Sequence, residues 1–441
     1  MAEFVHLEML PADYGDALHL AYGDSGEEHH LWIDGGLTQS YRKGWKKRLQ
    51  ALARQGLALD LLVVTHIDTD HINGVRAFIE DNRRGRRFPA IIPVEEVWFN
   101  QYRHIRAYGE ERAVAAEGEL PFLAAASPIR WPTHKALLDE LSRRAPRFRR
   151  LAQRVARQAR REAIAPVGAA EGELLAGLLE GNYRSNVRFG DQAVVRADIP
   201  PEVALPGGAR VWILSPTPET LRKLNRIWTQ YLQDNGLSLL LEAAAWGPPG
   251  SGDALVPALA QEAMLAARET FEPTPAARKE DAVLPLAELA QRPFVEDKAP
   301  ANGSSVALLF EFAGRKVLLA GDAHPSVVAE GLRRLGYSPE VPVELAAFKL
   351  AHHGSRANTG PELLSLVRCS NYLISTDGSR FNHPDKECLA RILWANRDAG
   401  ETVFYFNYKG TPGERALAQP DERSRYRYRV EHLIKWQVLA C

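Results

Sequence analysis

Leu61-Leu-Val-Val-Thr-His66-Ile-Asp68-Thr-Asp70-His71-Ile-Asn-Gly74 is the stretch around which the rest of the chain is organised. It opens as a short β-rich apolar run, Leu61 to Val64, which reads as a buried strand. It then breaks into four metal-ligand side chains within six residues: His66, Asp68, Asp70 and His71. Gly74 follows, and Val75, Phe78 and Ile79 predict a helix after the loop. A loop at the end of a buried strand can aim several side chains at one point. Neutral imidazoles and carboxylates are what a divalent cation requires, and an uncompensated cluster of them is costly. The bland reading is a polar loop with solvated carboxylates, and it would suffice for a lone His or Asp.

Working outward, the same pattern recurs. An apolar strand ends and ligand-type residues appear at once, at Asp322, at His352-His353 and at His383. Ligands on strand ends are held rigidly. This many donors exceeds the need of one zinc ion, so two divalent ions about 3.5–4 Å apart are expected, with Asp322 bridging them. Successive side chains of an extended segment alternate, so one of His352 and His353 is expected to bind metal. The other is expected to donate to the scissile oxygen or to buttress the site. Asp70 and His353 are the residues assigned to catalysis. Asp16 and Asp34 lie beside glycine turns and are read as turn or supporting residues.

The loop resembles the His-x-His-x-Asp-His signature of the metallo-β-lactamase-fold hydrolases, with Asp68 where the commoner pattern has a second His. Asn302-Gly-Ser-Ser-Val-Ala-Leu-Leu-Phe, Leu318-Leu-Ala-Gly-Asp322, Leu350-Ala-His-His-Gly-Ser355 and Asn382-His-Pro384 resemble one branch of that superfamily. The branch includes the soluble hydrolase domain of the bacterial competence DNA-uptake channel. The resemblance implies an αββα four-layer sandwich of the metallo-β-lactamase type. It covers roughly 3–104, 208–232 and 302–410. Asp68 is a harder ligand than imidazole, which moves the metal preference from zinc toward manganese or magnesium. The family's middle histidine motif has no clear match; His104 and His134 are candidates by position only, and the ordinary reading is preferred for both.

In order along the chain, 1–104 is read as the first half of the core. Residues 105–207 are a largely helical insertion, in which Ser142 to Arg161 carries nine arginines. These are read as a solvated helical face in preference to a phosphate-binding one. Residues 208–232 are a core strand and helix, and 233–300 a flexible insertion. Residues 301–441 form the second half of the core, with a tail from Arg423 to Leu439 read as a strand pair or edge.

The bulk composition is that of an ordinary soluble globular protein, with 45% hydrophobic and 25% charged residues. Zero formal net charge removes any global field that would advertise nucleic acid or membrane. The N-terminus lacks the pattern of a signal peptide, and no run of 18 or more apolar residues occurs. Three cysteines without a Cys-x-x-Cys pair fit a reducing cytosol. Three functions are carried forward. The first is a metal-dependent phosphodiesterase, most simply a nuclease. The second is a hydrolase of a lactone, thioester or cyclic nucleotide. The third is a non-enzymatic protein acting through its insertion. The expected partners are a phosphodiester or small-molecule substrate, nucleic acid included, and no membrane.

Overall fold

In the computed structural model the run Leu61–Val63 is a short strand, buried throughout, with parallel neighbours on both sides. The structure describes residues 3–83, 89–108, 168–234, 285–433 and 435–439. The Arg-rich stretch and His134 lie outside them.

Strands β1 (Phe4–Met9), β2 (Leu18–Gly23), β3 (Glu28–Ile33), β4 (Leu61–Val63) and β5 (Val97–Trp98) belong to one sheet. The second sheet takes β6 (Glu202–Ala204), β7 (Arg210–Ser215), β8 (Ala307–Phe312) and β9 (Arg315–Leu319). A small parallel pair joins β10 (Val343–Leu345) to β12 (Val367–Cys369). Strands β11 (Ala347–Lys349), β13 (Asn371–Ile374), β14 (Thr402–Phe406) and β15 (Tyr428–His432) complete the second sheet, and β16 (Lys435–Leu439) returns to the first. The orders are β16-β1-β2-β3-β4-β5 and β15-β14-β13-β11-β9-β8-β7-β6.

One buried cluster draws Val5, Leu20, Leu31 and Val63 from the first sheet and Val211, Leu308, Val317 and Leu373 from the second. The alternation of β1, with Val5, Leu7 and Met9 buried, is the period-two pattern of a strand with one face in a core. A second cluster packs Leu49, Phe78, Leu175 and Trp228, all helical, against Trp32 and Leu62. A third packs Val328, Leu332, Leu389 and Leu393 against Leu318, Phe348 and Phe404. The fold is mixed α/β with several sheets and helices, compatible with the one the resemblance implies. The described ends of the two insertions pack closely. Leu175 and Leu179 are buried on helix Ala169–Leu179, and Leu286 and Leu289 on helix Leu286–Gln291.

The tail meets the sequence expectation in part: β15 and β16 are edge strands of the two sheets, while the residues before them are helical. Residues Pro420–Tyr426 form a helix rather than a strand, with proline in its first turn followed by Asp421 and Glu422, the residues a helix start favours. Its strands do not pair with each other. β15 extends the second sheet beside β14, and β16 pairs antiparallel with β1. No helix among the described residues is long and apolar enough to cross a membrane.

Away from the ligand loop, His19 Nε2 and His30 Nδ1 lie 3.0 Å apart and buried. His19 stacks on Trp32 and reaches Glu8 Oε2 at 3.2 Å. Burial pushes His30 down to about 3 and carries His19 below its usual value. The unfolded chain protonates such rings near pH 6.5 and the folded one does not. Their contribution to stability is therefore full above pH 6.5 and is lost as the pH falls below it, by on the order of 2 kcal/mol for His30 at pH 5. Urea midpoints between pH 6.5 and 5 are expected to fall more steeply in wild type than in His30→Leu. Equal slopes would contradict this.

Candidate metal centre

A pair of hydrogen bonds and two tight backbone approaches fix the ligand loop. After β4, Thr65 donates to Asp34 twice, through its N–H (2.8 Å) and its hydroxyl (2.7 Å). A Cβ on Gly74 would lie 1.8 Å from Gly35 O, and one on Gly15 would lie 1.8 Å from Asp70 O. Only glycine fits at either place, so the turn at Asp34-Gly35, the loop at Tyr14-Gly15-Asp16 and the helix Thr69–Arg83 close upon one another. Asp68 C=O accepts the N–H groups of His71 and Ile72, both at 3.0 Å, and so starts that helix.

Four imidazoles then converge, and each has its Nδ1 committed outward. His71 Nδ1 donates to Asp34 Oδ2 at 2.8 Å, and His353 Nδ1 to the Ser375 carbonyl at 2.9 Å. His352 Nδ1 donates to Asn358 Oδ1 at 3.1 Å. The Thr65 hydroxyl is spent on Asp34, so at 3.0 Å it accepts from His66 Nδ1. With these acceptors at Nδ1, each neutral ring carries its lone pair on Nε2. Those lone pairs face carboxylates. His71, His66 and His352 approach Asp322 Oδ2 through Nε2 at 3.3, 3.7 and 3.8 Å. His353 Nε2 lies 3.5 Å from Asp70 Oδ2.

The Nε2 atoms of His66, His71 and His353 and Oδ1 of Asp322 are buried without a hydrogen-bond partner. Orphaned acceptors of this kind destabilise a fold unless something electropositive occupies the space between them. Among the described residues, two groups of this centre bring ligand atoms within 4.8 Å of one another: His66-His71-Asp322 and Asp70-His71-His353. Asp16, Asp34 and His71 form a third. The donor set fits divalent cations on this ground.

The electrostatics agree. Burial would raise the Asp322 carboxyl, but His71 and His352 hold it well below the usual carboxylate range. Burial would lower His71, but Asp322 and Asp34 lift it well above its usual value. Asp70 is held at about 2 against its burial by His353 and His71, and His353 is pushed to about 9 against its burial by Asp16 and Asp70. Protons here occupy places a cation would take over.

Two sequence expectations are corrected or sharpened by these positions. The segment at His352-His353 is not extended. Both residues have positive φ, 47° and 55°, so side-chain alternation does not apply and both rings address the centre. The rest of the expected set is graded by position. Asp68 Oδ2 lies 3.7 Å from His66 Nε2, outside the three-residue groups. His352 and His383 also lie outside them, their rings 5.3 Å apart. His104 is buried in a structural network with Phe99 O and Asn186 and joins no group.

Among the residues that hold the site, the sequence reading missed Asp297, Asn358 and Lys349. Asp297 Oδ2 accepts from Asn302 and Asn358 and lies 3.5 Å from His352 Nδ1. Lys349, buried, donates to Asp16 Oδ2 at 2.8 Å, and Asp16 Oδ1 lies 3.5 Å from His353 Nδ1. A lysine inside an otherwise apolar strand run, Ala-Ala-Phe-Lys-Leu-Ala, was the available signal for Lys349.

Residues 24–83 match the model of the metallo-beta-lactamase superfamily. The matched stretch carries Asp34, His66, Asp68, Asp70 and His71, and ends before Asp322, His352, His353 and His383. That superfamily consists mostly of metal-dependent hydrolytic enzymes, and the match points to a metal-dependent hydrolase. A comparison with curated proteins finds no match.

Proposed function

We propose that the chain is a phosphodiesterase, most simply a nuclease, built on two divalent ions in an αββα sandwich. The carrying observation is the set of four outward-tied imidazoles whose lone pairs face Asp322 and Asp70. His71 has one free nitrogen and serves one cation. Asp70, His71 and His353 would hold one cation and His66, Asp68 and His352 the other, with Asp322 facing His71 of the first set and His66 and His352 of the second. The core shared by the two sheets, with helices on their outer faces, supports the sandwich.

Divalent cations held there would neutralise charge on a phosphoryl group and acidify water. The carboxylate share of the donor set, Asp68, Asp70 and Asp322, favours manganese or magnesium over a purely imidazole site. The likeness of 302–310 and 350–355 to the competence-channel branch supports a phosphodiester substrate. The chain's own residues set the geometry. Asp34 fixes the His71 ring, Ser375 fixes His353, and Asn358 with Asp297 fixes His352. Outer partners of this kind are worth roughly 10–100-fold in metal affinity or activity.

The test is hydrolysis of bis(p-nitrophenyl) phosphate and of single-stranded DNA in manganese, with p-nitrophenyl butyrate as the carbonyl control. Diester cleavage is expected in wild type and its loss in Asp70→Ala, with an unchanged circular dichroism spectrum. Full activity in Asp70→Ala, or ester cleavage without diester cleavage, would overturn the proposal.

A further inference from the structure

The loop between β13 and helix Lys386–Ala395 carries a feature that the metal centre does not use. Phe381 is 48% exposed and is the one aromatic among the large exposed hydrophobic side chains of the described residues. Tyr14 meets it edge-on, at 6.2 Å between ring centroids and 89° between planes. The Arg380 guanidinium lies over both rings, 5.1 Å from the Tyr14 centroid and 5.0 Å from that of Phe381, and donates to the Tyr14 hydroxyl at 2.9 Å.

The arrangement is held in place from both sides. Asp377 N–H donates to Asp13 O at 2.9 Å and the Ser375 hydroxyl to Gly15 O at 3.1 Å, tying together loops far apart in sequence. The rings also lead into the centre. Phe381 is 6.0 Å from His383, His383 is 5.3 Å from His352, and His352 Nε2 faces Asp322. On the other side, Tyr14 adjoins Gly15 and Asp16, which pack on Asp70.

An exposed aromatic ring flanked by a guanidinium is what a nucleobase stacks upon, and the cation adds attraction for the phosphate beside it. Watson–Crick pairing hides base faces in a duplex, so such a platform selects unpaired bases. We propose that Tyr14, Arg380 and Phe381 form a nucleobase platform at the mouth of the metal centre, which directs the enzyme to single-stranded nucleic acid. This rests on the phosphodiesterase reading and narrows its substrate.

The test uses the full chain with manganese and two probes, a fluorescent single-stranded oligothymidylate and its abasic counterpart. Wild type is expected to show a KM for the base-bearing strand about tenfold below that for the abasic strand. Phe381→Ala is expected to bring the two together at unchanged kcat, and Phe381→Trp to keep them apart. Equal KM values in wild type, or an undiminished preference in Phe381→Ala, would overturn the platform. Bis(p-nitrophenyl) phosphate separates the two levels. Its hydrolysis without base preference leaves the phosphodiesterase reading standing and sinks the platform. No hydrolysis of any diester sinks both.

Discussion

Asp322→Asn is expected to lower manganese-dependent diester hydrolysis by on the order of 100–1000-fold, the effect of deleting one preorganised charge-stabilising group. Three imidazole Nε2 atoms face the same Asp322 oxygen, and its other oxygen is buried without a partner. Its Oδ2 thus faces donors from both the β4 loop and the His352-His353 turn. The change is nearly isosteric, and the backbone there stays tied by Ser305 Oγ to the Asp322 N–H and by Asn358 Nδ2 to its carbonyl. The loss should therefore appear in kcat and in metal affinity, at an unchanged circular dichroism spectrum. Wild-type turnover in Asp322→Asn would mean the carboxylate does not hold the reacting assembly together.

The second large effect lies behind the centre. Lys349→Met is expected to destabilise the protein by about 3–5 kcal/mol, because it leaves Asp16 as an uncompensated buried charge. Both side chains are almost inaccessible, 1% and 2% exposed, with Nζ and Oδ2 2.8 Å apart. Lys349 holds the Asp16 carboxyl below the usual range against a burial that would raise it. The double variant Asp16→Leu/Lys349→Met removes both charges and is expected to recover most of the loss in urea unfolding. A single variant as stable as wild type would show that the pair is dispensable. Because Asp16 also neighbours His353, the double variant should keep its fold while binding metal more weakly.

How much of this was legible in sequence follows the range of the interactions. The β4-loop-helix unit was readable because its signals are local: an apolar run, four donors and a glycine within fourteen residues. Asp322 and the two-histidine turn stood out because each follows an apolar strand. Of the support for these residues, Asp16 and Asp34 were readable beside their glycine turns, but their partners were not. Asp16 and Lys349 are 333 residues apart, and nothing local in either announces the other. Asp297 fell in a stretch read as an insertion, yet it lies beside His352. The alternation argument at His352-His353 assumed extended backbone, whereas a left-handed turn rotates both rings inward. In the tail, aromatic and basic alternation over Arg423 to Leu439 gave a strand signal, which the structure meets from Tyr428 onward. The preceding residues obey their proline and acidic helix-start signals instead.

The central claim is that the converging lone pairs exist to hold two cations. The most direct measurement is the metal content of protein purified without chelator, before and after equilibration with manganese, with Asp70→Ala alongside. The account predicts two equivalents in wild type and the loss of at least one in Asp70→Ala. Near-zero metal in both proteins, after soaking in manganese or zinc, would contradict it.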